Sequence, residues 1–147
     1  MISESKLVSL AREYGTPLFV YDGALMVERY RDLFRFIPSD ALRVHYALKA
    51  NYNPALLALL RDAGAGIDAV SPGEVALALA LGFEKERIIY TANNMTDAEF
   101  DRVMQSGVTV NIGSLSRLKK SSSMRAFQLA LSGRLWRTSE MASLSTW

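Results

Sequence analysis

Apolar positions along this chain follow one rhythm up to about residue 42 and a more regular one after it. In the opening stretch Leu7, Leu10, Ala11 and Tyr14 stand three and four residues apart, with Ser3 before them and Gly15 after, which predicts a short capped helix. Residues 16–22 (Thr-Pro-Leu-Phe-Val-Tyr-Asp) read as a strand, and Met26, Tyr30, Leu33, Phe34 and Ile37 mark one face of a second helix that Pro38 ends. Strand and helix signals then alternate. Residues 43–49 form a strand candidate, after which Asn53-Pro54 supplies an N-cap and a first-turn proline for a helix with the face Leu56, Leu59, Leu60, Ala63, closed by Gly64. Residues 66–71 are the next strand, and Ser71 and Glu74 are spaced as a capping box for a helix that stops at Gly82. Residues 87–91 make a third strand, Thr96 and Glu99 a second capping box, and 108–112 a fourth strand.

Strands that begin every 21 to 23 residues, with helices between them, imply right-handed βαβ units and a parallel sheet. Spacing alone leaves both a doubly wound sheet and a β/α barrel open. Gly64-Ala65-Gly66-Ile67-Asp68-Ala69 fits a loose dinucleotide pattern, but its glycines close a helix and open a strand, the reverse of what a dinucleotide loop requires. The chain has no phosphate loop, no histidine pair for a metal and no serine, histidine and aspartate set. Metal and nucleophilic-hydrolase readings therefore lack their residues.

After Leu118 the alternation stops. Residues 119–147 hold seven serines and two tryptophans but no valine, isoleucine, proline or aspartate, and Leu129, Leu131 and Trp136 suggest at most a short helix, with no further strand. Charge breaks at the same place: 12 basic and 14 acidic residues up to Leu118 are followed by five basic and one acidic, so the net +2 comes from the tail. A slightly acidic body gives no support to nucleic-acid binding. The tail reads as a basic appendage or as frame-shifted, foreign sequence. No apolar run approaches the roughly 18 residues of a membrane span, and the N-terminus lacks an export pattern. Cysteine is absent, which excludes disulfides, thiolate metal sites and a cysteine nucleophile and fits a cytoplasmic protein.

The residue with most chemical content is Lys49, at the C-terminal end of the strand His45-Tyr46-Ala47-Leu48-Lys49. In a barrel that end carries the active site. Alternation sends His45, Ala47 and Lys49 to one face and Tyr46 and Leu48 to the other, under the helices. A lysine facing a barrel interior loses hydration, which favours the neutral amine that bonds an aldehyde cofactor. A solvated lysine at a strand end is the plainer alternative. His45 is the sole histidine, and a lone strand histidine reads as a core residue rather than a catalyst.

Tyr46-Ala47-Leu48-Lys49-Ala50-Asn51 resembles the lysine motif of the alanine-racemase-fold decarboxylases that act on diaminopimelate, ornithine and arginine. Other segments agree in order and spacing: Tyr14 to Asp22 resembles the entry strand of the diaminopimelate-specific members, Gly66 to Glu74 their second barrel strand and turn, and Val110-Asn111-Ile112 with Ser114-Leu115 their fourth strand. The resemblance covers about residues 5–118. It implies an α/β fold, a partial (β/α)8 TIM barrel with about half of the barrel present. It divides the chain into an entry helix, strand and helix at 1–41, the first half of a pyridoxal-phosphate-binding barrel at 42–118 and the atypical tail at 119–147. It also implies Lys49 as the catalytic lysine and Schiff-base partner of pyridoxal 5'-phosphate, with Ala47, Asp68 and Glu74 lining the cofactor pocket, and no metal. Asp68 and Glu74 each have a structural alternative, as a cross-strand partner and as a helix cap. In the resembled family the phosphate-binding glycines and arginine, the glutamate at the pyridine nitrogen and a C-terminal β-domain come from later segments, which these 147 residues do not contain. The implied activity is decarboxylation of meso-diaminopimelate to lysine by a cytoplasmic homodimer, the chain itself being a truncated and inactive piece. Rival readings are a decarboxylase of arginine, ornithine or carboxynorspermidine, and a non-catalytic cofactor-binding barrel fragment. None involves nucleic acid or a membrane, and the partner is a small amino-acid substrate.

Overall fold

The computed structural model describes residues 2–122, 128–131 and 134–137, with side chains as far as residue 118. The chain divides into two compact units, Met1–Leu42 and Arg43–Trp147.

In the first unit, helix α1 (Glu4–Tyr14) starts where the Ser3 hydroxyl accepts the Lys6 N–H at 3.3 Å and ends at Gly15, whose φ of 83° suits a residue without Cβ. Helix α2 (Gly23–Phe36) is capped by Asp22, which accepts the Leu25 N–H at 3.0 Å. Tyr30 and Phe34, one turn apart, meet edge to face at 5.2 Å and 65°, on the face that the spacing predicts. Residues 16–22 do not form the predicted strand: they join no ladder among the described residues. Apolar alternation permits a strand, but only a hydrogen-bonded neighbour makes one.

The second unit opens with β1 (His45–Ala47) and a 3-10 turn, Leu48–Ala50, followed by α3 (Pro54–Asp62), β2 (Gly66–Ala69), α4 (Pro72–Ala80), β3 (Ile88–Tyr90), α5 (Asp97–Ser106), β4 (Thr109–Asn111) and α6 (Leu115–Ser122). Each helix begins at a residue able to replace its missing acceptors: Asn53 accepts the Ala55 N–H at 2.9 Å, and Ser71 the Glu74 N–H at 3.2 Å. Thr96 and Glu99 form the full reciprocal box. The glycines of the dinucleotide-like stretch close α3 and open β2, as their order in the sequence predicts.

Strand order is β1-β2-β3-β4-β5-β6, with β5 (Gln128–Leu131) parallel to β4 and β6 (Arg134–Arg137) antiparallel to β5. The first four strands lie in chain order without a reversal, as in a barrel and unlike a doubly wound sheet. Register assigns the faces. Tyr46, Ile67 and Ile88 lie in one row and Ala69, Tyr90 and Val110 in another, and with Leu48 these pack against Leu57, Val75, Ala78, Phe100, Val103 and Met104 from α3, α4 and α5. One helix-covered face therefore holds the core, as consecutive right-handed crossovers demand. Leu57 and Phe100 are completely buried, each contributing about 1.5–3 kcal/mol through area removed from water. The opposite face carries the row Ala47, Asp68, Ile89, Thr109.

Beyond Leu118 the structure departs from the expectation of no further strand, because α6 crosses that position and β5 and β6 extend the sheet. The unpaired N–H and C=O groups along the outer edge of β4 recruit the next segment, a long-range demand that residue composition does not express. The sequence of the tail also implies loose packing, and the side chains that would test it, Trp136 and Trp147, lie outside the described residues. No helix among the described residues is long and apolar enough to cross a membrane.

Candidate active site

The parallel strands β1, β2 and β3 end side by side, and three of the candidate residues occupy that C-terminal edge. Lys49 stands in the 3-10 turn directly after β1 and is exposed. Two expectations change here: Lys49 is outside the strand, which ends at Ala47, and it is not enclosed. The reason lies next to it. Leu48 is driven fully into the core beneath the helices, and the chain turns tightly around that anchor, lifting the lysine to the surface. Tyr46 and Leu48 do pack on the helix side as predicted.

Ala47 and Asp68 are direct partners in the β1–β2 register, both half-buried on the face away from the helices. Asp68 has apolar lateral neighbours, Ala47 and Ile89, and its Oδ1 accepts the Thr91 hydroxyl at 2.6 Å. Thr91 is a residue that sequence reading missed. Alternation alone would have found it, since it lies two residues past Ile89 and so on the same face as Asp68.

Glu74 is the third residue of α4, yet it does not complete the predicted capping box. Its Oε2 reaches past Ser71 and accepts the Val70 N–H at 2.6 Å, while Ser71 keeps the other half of the motif. The bond holds the turn where β2 passes into α4, two residues beyond Asp68, much as Lys49 lies two beyond Ala47. The short distance fits a charge-assisted bond to a carboxylate.

His45 begins β1, away from this edge. Its ring lies across Gly66: a Cβ placed there would stand 2.4 Å from His45 Cδ2. Burial pushes the imidazole below its ordinary value of 6.5; Asp68 opposes that and Arg87 reinforces it. A neutral ring on the sheet agrees with its assignment as a packing residue.

Further along the same edge, the ends of β3 and β4 enclose a cavity of about 300 Å³ lined by Asn93, Phe100, Asn111, Ser114 and Arg117. The Arg117 guanidinium is already engaged, donating to Asp97 and to the Met95 carbonyl and lying 5.4 Å from the centre of the Phe100 ring. It braces the loop before α5. Among the described residues no group of three histidine, aspartate or glutamate side chains is suited to hold a metal.

An exposed primary amine at the C-terminal edge of a parallel sheet, with an oriented carboxylate in the neighbouring strand, is a donor set suited to an aldehyde cofactor. Residues 24–131 match the family model described as pyridoxal-dependent decarboxylase, pyridoxal binding domain. The chain belongs to this family. Among the decarboxylase relatives, diaminopimelate decarboxylase of Methanothermobacter thermautotrophicus is 44% identical over 137 residues, which cover 92% of this chain and 32% of the relative. The crystal structure of AQ1208 from Aquifex aeolicus superposes with a TM-score of 0.76 at 34% identity, covering 85% of this chain and 32% of that one. The diaminopimelate decarboxylase of M. jannaschii in co-complex with L-lysine superposes at 0.75 with 26% identity, again over 85% and 32%. The chain thus spans about a third of the length of these relatives. Its fold is a partial barrel of the same α/β type, and the family match continues past Leu118, through β5, to residue 131.

Proposed function

We propose that this chain is part of a pyridoxal-phosphate-dependent decarboxylase that converts meso-diaminopimelate to L-lysine and carbon dioxide, and that Lys49 is the residue to which the cofactor attaches. The observation that carries the reading is the 44% identity to a diaminopimelate decarboxylase across nearly the whole chain. The strand-end position of Lys49 supports the residue assignment.

In this reading each residue has a distinct task. Lys49 would supply the amine that holds the cofactor through its aldehyde. Ala47 contributes only a methyl group, which leaves the open face of the sheet clear for a flat ring. Asp68 presents a carboxylate to donors above that face. Glu74 keeps the Val70 N–H occupied and so fixes the turn beside the site. Bound pyridoxal phosphate supplies the electron-accepting ring for the pair left on the α-carbon when carbon dioxide departs.

Imine formation needs little more than an accessible amine, whereas decarboxylation needs ring, phosphate and substrate held in one orientation. The isolated 147-residue chain is therefore proposed to capture the cofactor weakly without turning over substrate. The test is absorbance of the purified chain with pyridoxal phosphate, with Lys49→Ala as control and lysine formation followed by chromatography. Absorbance lost in Lys49→Ala, with no lysine formed, is the expected result. Equal absorbance in Lys49→Ala would overturn the residue assignment, and turnover by the isolated chain would overturn the claim that it is incomplete. A cytoplasmic location and a homodimeric parent enzyme belong to the same proposal. The related arginine, ornithine and carboxynorspermidine decarboxylases are the second reading, distinguished by offering those substrates to a full-length enzyme that contains this segment.

A further inference from the structure

We propose that Thr91 is a positioning residue of this site: its hydroxyl fixes the orientation of the Asp68 carboxylate, leaving Oδ2 as the acceptor for the Lys49 nitrogen. The inference rests on the assignment of Lys49 made above. Asp68 stands on the open face of β2 between Ala47 and Ile89, neither of which has a side-chain hydrogen bond to offer. Among the described residues, the hydrogen bond that holds its side chain comes from Thr91, at 2.6 Å. Without it the carboxylate would turn about its last bond, a broad torsion with no strong preference. Thr91 is well suited to hold it. Its backbone N–H donates to the Ala69 carbonyl at 2.9 Å, continuing the β2–β3 ladder past the end of β3, and its branched side chain is stiff at χ1. With Oδ1 engaged, the second oxygen points in a direction set by the sheet. Lys49 and Thr91 follow β1 and β3, the strands on either side of the one that carries Asp68. A carboxylate held in this way offers a fixed acceptor to a donating nitrogen at the end of Lys49.

The experiment uses the full 147-residue chain, pyridoxal phosphate as the probe, borohydride reduction to make the attachment permanent, and peptide mass spectrometry to locate it. The readout is the fraction of label on Lys49 relative to exposed lysines such as Lys6 and Lys85. Thr91→Val should lower that fraction about tenfold, the loss expected when one charge-assisted hydrogen bond no longer orients the acceptor. Thr91→Ser should restore it. Asp68→Asn should lower it comparably, and Thr91→Val/Asp68→Asn no further than Asp68→Asn alone. Thr91→Ala is the second variant without the hydroxyl, so that a folding defect in one, seen by far-UV circular dichroism, leaves the comparison intact. Preferential labelling of Lys49 that is unchanged in both variants, or effects of Thr91 and Asp68 that simply add, would overturn the inference while leaving Lys49 as the cofactor residue. No preference for Lys49 in the unmodified chain would overturn both.

Discussion

Gly66→Ala tests the closest approach in the sheet. The added Cβ would meet His45 Cδ2 at 2.4 Å, His45 Nε2 at 2.7 Å and the Arg87 carbonyl oxygen at 2.7 Å, against a comfortable separation of about 3.5 Å or more. The imidazole can swing aside at modest cost. The carbonyl cannot: it belongs to the backbone just before β3, which pairs with β2 from Ile67↔Ile88 onward, so relieving the clash means prying the two strands apart where their ladder begins. Overpacking a tight site costs about 1–3 kcal/mol, and a backbone atom among the collisions places this one in the upper part, at about 2–3 kcal/mol. Urea unfolding followed by far-UV circular dichroism gives the difference as a drop in midpoint at unchanged slope. Replacing His45 by alanine in the Gly66→Ala chain removes two of the three contacts and should recover roughly half of the loss. A cost below about 0.5 kcal/mol, within the range of ordinary surface substitutions, would refute the reasoning. Full recovery in the double variant would refute the part assigned to the Arg87 carbonyl.

Three further outcomes follow from the same geometry. Leu57→Ala empties a completely buried position beneath the sheet and should cost about 2–5 kcal/mol, read from the urea midpoint; a loss under about 1 kcal/mol would mean that the helix-side core is not packed as described. Thr96→Ala should cost about 1 kcal/mol. The cap bond from the Glu99 N–H to the Thr96 hydroxyl does not titrate, whereas the hydroxyl's own bond to the Glu99 carboxyl, which the Thr96 backbone N–H and hydroxyl hold below the ordinary 4.5, is present above that value and lost as pH falls through the folded value, so the difference between the variant and the unmodified chain should narrow in acid without vanishing. His45 gives an acid limb of its own: burial holds its folded value below 6.5, so the unfolded chain binds the proton first, stability is complete above 6.5, and it declines as pH drops through the folded value. His45→Gln should flatten that limb in a pH series of urea midpoints, and stability that rises on acidification through this range would contradict the assigned sign.

Local signals in the sequence were enough for much of the second unit. Asn53-Pro54, Thr96 with Glu99, and the glycines after the helices are read by the backbone within a few residues, so the helix boundaries they predict appear where expected. Alternation in Tyr46-Ala47-Leu48 likewise determined which side chains enter the core, because burial of Leu48 is decided by its own apolar surface. What required the tertiary structure were the questions of partnership. Residues 16–22 have strand chemistry and no ladder, whereas β5 and β6 arise in a stretch whose composition suggested no strand, because a strand exists only where another edge offers hydrogen bonds. Glu74 has capping-box spacing but bonds Val70, and Asp68 finds Thr91 twenty-three residues away; both choices depend on where β2 and β3 end relative to each other. Even Lys49, which the sequence singled out, owes its exposure to the pull of Leu48 into the core and the turn that follows. Short-range hydrogen bonds and hydrophobic periodicity are properties of the sequence, while edges, registers and the directions of side chains at strand ends come into being only when distant strands meet.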